Sequence, residues 1–318
     1  MENFSRLAAH VRTELSKVIV GQADVVDQLL LVVACGGHAL IEGVPGLGKT
    51  LAAKSLARIC GLQFQRVQCT PDLMPADITG TNVFRLADSS FQLHQGPVFT
   101  EILLVDEINR TPPRTQSALL EAMEERQVTI DGVRYPLPRN FTVLAIQNPI
   151  EFEGTYPLPE AQLDRFLFKI RIAYPSEEEE QSILVRYETG FDARRWEEVP
   201  LATAEEGLLN AARAEIEQVH IEPTLLPYLV SIVRRTRDWP AVALGASPRA
   251  AVGLLYVSRA LAAMDGRDYL LPDDVKGAAL PVLRHRIVLK PEAEIEGLLP
   301  DNVLQQIVAS VEIPKSRT

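Results

Sequence analysis

Residues 43–50 read Gly43-Val44-Pro45-Gly46-Leu47-Gly48-Lys49-Thr50. This stretch fits the pattern G-x-x-x-x-G-K-[ST], and it lies between an apolar run and an amphipathic segment, as that pattern requires. Its glycines would let backbone N–H groups surround phosphate oxygens, and the following helix N-terminus would add a positive dipole. We expect Lys49 to reach the β- and γ-phosphates, Thr50 to bind Mg²⁺, and the binding segment to extend to Leu51. The stretch therefore predicts a P-loop nucleotide-binding fold.

A second stretch is an apolar run that ends in two carboxylates, Ile102-Leu103-Leu104-Val105-Asp106-Glu107. A fully apolar run is typical of a buried parallel strand, and the C-terminal ends of such strands lie where α/β folds bind ligands. We expect Asp106 to hold Mg²⁺ through its water shell and Glu107 to polarise the attacking water as a general base. The alternative is a solvated strand end.

The identity of the nucleotide follows from a missing pattern. Neither N-K-x-D nor T-K-x-D, the usual guanine readers, occurs in the sequence. ATP is therefore the favoured nucleotide.

Composition limits the class of protein. The chain has 318 residues, of which 47% are hydrophobic and 23% charged, and its net charge is −10. These values exclude a disordered chain and a collagen-like repeat, and an acidic chain has no general footprint for nucleic acid or anionic lipid. The longest apolar run, residues 29–35, is too short for a bilayer, and residues 1–17 lack the apolar core of a signal peptide. Three cysteines are too few for a disulfide framework and suit a reducing cytosol. Charge, apolar runs and cysteines together predict a cytoplasmic protein that neither binds nucleic acid nor inserts into a membrane.

The periodicity of the chain changes near residue 175. Strands are expected at 39–42, 63–68, 102–106, 142–147 and 168–172, with helices at 49–60 and 115–125 between them. Ser176 and Glu179 have the spacing of a capping box, and further helices are expected at 204–219, 223–237, 248–264 and 272–283. The alternation predicts an α/β fold, a P-loop parallel sheet sandwiched by helices, over residues 1–185 and an all-α lid domain over 186–318.

Two segments interrupt the alternation and are interpreted as insertions at the rim of the sheet. Residues 71–98 combine a helix-like stretch at 72–78 with short strands on either side of Asp88-Ser89-Ser90. Residues 127–138 have the pattern of a hairpin that turns at Asp131-Gly132. We expect the insertions to face a ring axis or a partner surface, and ordinary surface decoration is the alternative.

Several strings along the chain resemble the MoxR family of AAA+ ATPases, over about residues 18–290. They are Val20-Gly21-Gln22, the phosphate loop, Asp106-Glu107-Ile108-Asn109-Arg110, Gln147-Asn148-Pro149, Leu158-Pro159-Glu160-Ala161-Gln162-Leu163-Asp164-Arg165-Phe166 and Gly245-Ala246-Ser247-Pro248-Arg249. The resemblance implies an AAA+ core with a helical lid, a hexameric ring with ATP between neighbours, and a chaperone-like role. It also implies a partner protein that carries a von Willebrand factor A domain.

The resemblance further implies roles for individual residues. Gly21 and Gln22 resemble the segment beside adenine, and Asn148 resembles the first sensor, which orients water against the γ-phosphate. Arg165 resembles the arginine finger supplied to the next subunit, and Arg249 resembles the second sensor, acting either in its own subunit or in a neighbour's. Fixed cations of this kind stabilise the charge on the transferring phosphoryl group.

Alternatives remain for the last three residues. Asn148 could be a turn-forming residue before Pro149, Arg165 could pair with Asp164 or Glu160 on a short helix, and Arg249 could be a surface arginine. The function expected is Mg²⁺-dependent ATP hydrolysis coupled to remodelling or maturation of partner proteins. An ATP-driven nucleic-acid motor is the alternative, and a nucleotide switch without hydrolysis is a third hypothesis.

Overall fold

The computed structural model describes residues 1–87, 89–148 and 154–314. Its α-helices are α1 (Asn3–Leu15), α2 (Ala23–Ala34), α3 (Lys49–Ile59), α4 (Pro75–Thr79), α5 (Pro113–Glu125), α6 (Glu160–Leu163), α7 (Glu177–Glu188), α8 (Leu208–Gln218), α9 (Leu225–Arg237), α10 (Pro248–Met264), α11 (Pro272–Leu283), α12 (Pro291–Ile295) and α13 (Pro300–Ser310). Its strands are β1 (Ala39–Glu42), β2 (Phe64–Gln68), β3 (Gly80–Arg85), β4 (Ser90–Gln95), β5 (Ile102–Asp106), β6 (Gln127–Ile130), β7 (Val133–Pro136), β8 (Thr142–Gln147), β9 (Phe168–Arg171), β10 (Val242–Leu244) and β11 (Val288–Leu289).

A five-stranded sheet in the order β2-β5-β8-β1-β9 forms the centre of the α/β part. The pairs β2–β5, β5–β8 and β8–β1 are parallel. Every residue of β5 is buried, as its apolar sequence requires for a strand covered on both faces. The predicted P-loop sheet followed by a helical lid is confirmed, and β1, β5 and β8 have the predicted bounds.

His38, just before β1, joins three elements of this core. Its Nδ1 accepts a hydrogen bond from the Val143 N–H at 2.9 Å, so Nε2 carries the proton and donates to the Met123 carbonyl at 3.1 Å. Burial lowers the pKa of His38 to about 4, and the nearby charge of Arg126 adds to this effect. The imidazole ring is therefore neutral, and both of its nitrogens make hydrogen bonds that link these elements.

The two predicted insertions are hairpins. β3 and β4 pair antiparallel after the short helix α4, and β6 and β7 pair antiparallel around Asp131 and Gly132, both with positive φ. Asp88, in the predicted turn of the first hairpin, lies outside the described residues. Asn82 Nδ2 donates to Asp131 Oδ2 at 2.8 Å and joins the two hairpins.

The chain divides into two compact units. One comprises Val11–Leu158 and Ile170–Ala204, and we call it the α/β unit. The other comprises Met1–His10, Pro159–Lys169 and Glu205–Thr318, and we call it the lid unit. A cut after residue 185 would fall inside α7, which belongs wholly to the α/β unit. The predicted capping box is present at the start of α7, where Ser176 N donates to Glu179 Oε2 and Glu179 N donates to Ser176 Oγ.

Across the described ranges, none of the helices combines the length and the apolar character needed to cross a membrane.

Candidate active site

Three parallel strands bring predicted site residues to one edge of the sheet. β1 leads into the phosphate loop, β5 ends at Asp106, and β8, which lies between them, leads into Asn148. The register pairs Glu42 with Gln147, so Gly43 and Asn148 are the next residues along two adjacent strands. The carboxyl ends of parallel strands share one edge, which is where ligands bind in open α/β sheets.

The phosphate loop has the backbone that its glycines permit. Gly46 and Gly48 have φ values of 88° and 73°, a left-handed conformation that costs a side-chain-bearing residue strain. A Cβ on Gly46 would have no atom within 4 Å, so the loop borders open space there. Gly48 is the N-cap of α3, whose first N–H groups can therefore face an anion.

Lys49 lies at the start of α3 and folds back over the loop. Its Nζ donates to the carbonyl of Gly43 and, at 3.0 Å, to that of Val44. Burial lowers the pKa of Lys49, while the charge of Asp106 opposes this effect. The ammonium group is thus held by the carbonyls of the loop and interacts electrostatically with the carboxylate at the end of β5, two strands away in the sheet.

Asp106 is only 7% exposed and is held by a residue that sequence reasoning missed. Arg66, on the neighbouring strand β2, donates from Nε to Asp106 Oδ2 at 2.7 Å and from Nη2 to Gln68 Oε1 at 2.8 Å. The carboxylate of Asp106 and the hydroxyl of Thr50 are hard oxygen donors, the ligand type that Mg²⁺ prefers. The residues present fit that cation.

Glu107 has an unusual backbone for a residue with a side chain. Its φ of 58° and ψ of 47° place it in the left-handed region, and non-glycine residues held there are concentrated at functional sites. Its Oε2 lies 3.2 Å from Arg110 Nε. The strained turn directs the chain from β5 into a short 3₁₀ helix, Ile108–Arg110, and leaves the carboxylate paired with a cation.

Asn148 is buried, with 8% of its surface exposed. It follows β8 directly, at the edge that also carries the phosphate loop and Asp106. Pro149, the next residue of the predicted string, lies outside the described residues.

An apolar cavity of about 220 Å³ lies beside the loop. This volume is below the roughly 300–1,000 Å³ of pockets for whole drug-sized ligands and suits one ring system. Gln22, predicted beside adenine, lines it, and its Nε2 donates to the Leu47 carbonyl at 3.2 Å. Gly21 is adjacent to this wall and has a φ of 66°.

Another part of the cavity wall comes from α7 and the residues after it. Sequence reasoning missed three of its members: Ile183, Tyr187 and Phe191. Ile183 and Tyr187 are one helical turn apart. The rings of Tyr187 and Phe191 are arranged edge to face, with their centroids 5.5 Å apart. The i, i+4 spacing of Ile183 and Tyr187 was the available signal, but it does not distinguish a cavity wall from a packing surface.

Arg165 and Arg249 belong to the lid unit, whereas the other predicted site residues belong to the α/β unit. Arg165 follows the short helix α6, and Arg249 is the second residue of α10, whose N-cap is Ser247. The structure does not bring these two arginines into the same compact unit as the phosphate loop.

Comparisons with known proteins agree with this architecture. The model of the ATPase family associated with various cellular activities (AAA) matches residues 38–168, and that of the AAA lid domain matches residues 234–307. A crystal structure of a Cytophaga hutchinsonii protein, described as a candidate ATPase, superposes with a TM-score of 0.89 at 41% identity, over 98% of this chain and 96% of the other. Fold and site thus define a AAA+ ATPase with a helical lid.

Three relatives refine the class. Chaperone MoxR1 of Mycobacterium tuberculosis is 44% identical over 97% of this chain and 84% of its own length. Protein MoxR of Methylorubrum extorquens is 31% identical over 96% and 95%, and YeaC of Bacillus subtilis is 42% identical over 100% and 98%. The chain belongs to the MoxR family of AAA+ ATPases.

Proposed function

We propose that this protein is a Mg²⁺-dependent ATP hydrolase that works as a hexameric ring and remodels or matures a partner protein. The observation that carries the proposal is the shared sheet edge, where the loop around Lys49, the acids Asp106 and Glu107, and Asn148 follow three adjacent strands. A cation, two carboxylates and an amide at one edge are the groups that phosphoryl transfer to water requires.

Residues of the α/β unit bind and orient the nucleotide. The backbone of Gly43–Gly48 and the ammonium of Lys49 hold the phosphates, and the apolar cavity with Gln22 takes the adenine ring. Thr50 and Asp106 hold Mg²⁺, which when bound neutralises charge on the β- and γ-phosphates. Arg66 keeps Asp106 in one orientation through the 2.7 Å hydrogen bond.

Glu107 is the general base of the proposed reaction. Its carboxylate polarises the attacking water, and Asn148 orients that water from the adjacent strand end. The ion pair of Glu107 with Arg110 at 3.2 Å holds the carboxylate of Glu107 until a water is in place.

The lid unit supplies the remaining cations. Arg165 acts as the arginine finger for the ATP of the next subunit, and Arg249 acts as the second sensor. The site is therefore complete only where two subunits meet, which is why we propose a ring.

The chaperone-like role is supported by the name of the Mycobacterium tuberculosis relative, Chaperone MoxR1. We propose a protein client, with a von Willebrand factor A domain protein as the partner class. The net charge of −10 disfavours the alternative of a nucleic-acid motor.

Exchange of Glu107 for Gln tests the proposal, because the amide keeps the size of the side chain and removes the base. We expect ATP affinity to stay within about twofold and turnover to fall at least about a hundredfold. Glu121→Gln, on the exposed side of α5, is the matched control and keeps wild-type turnover. Unchanged hydrolysis by Glu107→Gln would refute the assigned base.

The ring is tested by mixing variants. Arg165→Ala subunits are expected to bind ATP without turnover, and Glu107→Gln subunits to restore part of it by supplying an intact finger across hybrid interfaces. Specific activity should also fall on dilution below the assembly range. Activity that is independent of concentration contradicts a shared site.

A further inference from the structure

The segment Pro159–Lys169, which we call the finger segment, is part of the lid unit although its neighbours on both sides in sequence belong to the α/β unit. Two of its side chains, Phe166 and Phe168, are fully buried. The segment contains Arg165, whose backbone N–H donates to the Gln162 carbonyl at 3.2 Å. Side chains of the lid unit therefore contact the finger segment.

Arg286 is the main contact. Its Nε donates to Asp164 Oδ1 at 2.8 Å. Its Nη2 donates to the carbonyls of Asp164 and Phe166 at 3.1 and 2.8 Å, and its Nη1 to those of Leu167 and Val282 at 3.3 and 2.6 Å. All five N–H groups of the guanidinium are thus used. The side chain of Arg286 is only 2% exposed, so it is a buried structural contact of the finger segment.

The two residues before Arg286 hold the same backbone. His285 Nε2 donates to the Phe166 carbonyl at 2.8 Å, and Arg284 Nη1 donates to the Lys169 carbonyl at 3.2 Å. Three consecutive basic side chains after α11 therefore hold the finger segment from Asp164 to Lys169.

Asp164 extends the contact to the start of α10. Its second oxygen, Oδ2, accepts a hydrogen bond from Ser247 Oγ at 2.8 Å, and Ser247 Oγ accepts one from the Arg249 N–H at 3.1 Å. One carboxylate thus lies next to Arg165 in the chain and one hydrogen bond away from the N-cap that precedes Arg249.

We propose that the ion pair of Arg286 with Asp164 positions Arg165, so that the lid unit carries the arginine finger that one subunit offers to its neighbour's ATP. The inference rests on the proposed role of Arg165 and assigns Arg286 and Asp164 as positioning residues. Both residues adjoining Arg165 in the chain, Asp164 and Phe166, have their carbonyls bound by this guanidinium. The carboxylate of Asp164 holds the guanidinium in position, so loss of the ion pair loosens the backbone on both sides of the finger.

Asp164→Ala tests the proposal because it removes the ion pair without changing the side chain of Arg165 or of Glu107. We expect ADP affinity and ring assembly to stay as in wild type, while kcat falls about tenfold to a hundredfold, the effect of a misplaced catalytic group. Mixing with Glu107→Gln subunits, which have an intact finger, should raise turnover above that of either variant alone. A lid defect confined to its own subunit would not be rescued in this way.

Asp274→Ala is the matched control. Asp274 is a buried carboxylate of the same unit that binds Arg267 through both oxygens, at 2.6 and 2.8 Å. It lies in the first turn of α11, whereas Arg286 follows the other end of that helix. Its loss should lower the melting temperature and leave kcat unchanged.

Asp164→Asn keeps the test decisive if the Ala variant does not fold. The amide retains hydrogen-bonding capacity toward Arg286 and Ser247 but removes the charge, and we expect a smaller loss of kcat, about two- to fivefold, with the same rescue. Wild-type kcat in the folded Ala variant, or in the Asn variant if only that one folds, overturns the proposal, as does a loss without rescue.

Arg165→Ala distinguishes failure of the proposed finger from failure of its proposed positioning by Asp164 and Arg286. If Arg165→Ala hydrolyses ATP normally, the proposed function loses its finger. If Arg165→Ala is inactive and rescued in mixtures while Asp164→Ala is fully active, the finger stands and the positioning role of Asp164 and Arg286 is refuted.

Discussion

Gly21 lies against the carboxylate of Glu179, and a Cβ on residue 21 would overlap with it. Glu179 is fixed there by the capping box of α7, since Ser176 N donates to its Oε2 at 2.9 Å. Val20 and Gln22, on either side of Gly21, line the apolar cavity, and so does Ile183 of α7. The contact between Gly21 and Glu179 therefore links the segment around Gly21 to the capping box of α7, beside the proposed adenine site.

Gly21→Ala should weaken ADP binding about tenfold, or about 1.4 kcal/mol. The new methyl group displaces the Glu179 carboxylate from Ser176 N and so loosens the start of α7, the helix that carries Ile183. Isothermal titration calorimetry measures the affinity. Gly132→Ala is the control, because Gly132 has a similar φ of 80° but a Cβ added there would meet no atom within 4 Å. Equal ADP affinity of Gly21→Ala and wild type would contradict this view of the site.

Ile183→Ala should weaken ADP binding about fivefold, because the lost contact with the base is worth about 1 kcal/mol. Leu184→Ala, one residue further along α7, is matched to it, since Leu184 is 70% exposed and does not line the cavity. Its ADP affinity should equal that of wild type. Binding of inorganic triphosphate should be the same in both variants, and an equal loss of ADP affinity in both would rule out the cavity as the base site.

Stability should fall between pH 6.5 and about 4 because His38 is neutral in the folded protein, with its pKa lowered from 6.5 to about 4. The unfolded chain binds the proton first as pH falls, so the contribution of His38 is complete above pH 6.5 and lost progressively toward pH 4. The loss amounts to about 3 kcal/mol. Urea unfolding at a series of pH values measures it.

His38→Gln is the comparison for that series, since its amide can still donate to the Met123 carbonyl. This variant should be less stable than wild type at pH 7, and its free energy of unfolding should decrease less steeply between pH 7 and pH 5. His285, whose pKa burial lowers well below its ordinary value, acts in the same direction, so the fall does not vanish. The same slope in both proteins would show that His38 does not contribute.

Cys69 should resist alkylation in the folded protein. Burial raises the pKa of its thiol to about 11, so at pH 8 about a thousandth of it is thiolate, the reactive form. Cys35 and Cys60 are partly exposed, and iodoacetamide should label them first, as followed by peptide mass spectrometry. All three should react alike in guanidinium chloride, and fast labelling of Cys69 in the native protein would contradict its burial.

The sequence predicted what local patterns determine. Apolar runs gave the strands at 39–42, 102–106 and 142–147, and Asp131-Gly132 gave the turn of the second hairpin. What it could not predict are the pairs that form across the fold. Arg66 and Asp106 are 40 residues apart, and Arg286 and Asp164 are 122 apart, so no periodicity or spacing relates them. The cavity wall formed by Ile183 and Tyr187 was missed because an apolar helical face has the same sequence pattern whether it lines a cavity or packs against another element.

The hydrogen bond between Asn82 and Asp131 has a practical consequence for chimaeric proteins. A chimaera that takes only one hairpin from a relative would lose this hydrogen bond wherever the new hairpin lacks the matching residue. The reason is that Asn82 on one hairpin supplies the donor and Asp131 on the other supplies the acceptor. Exchanges of these insertions between relatives should therefore move both hairpins together.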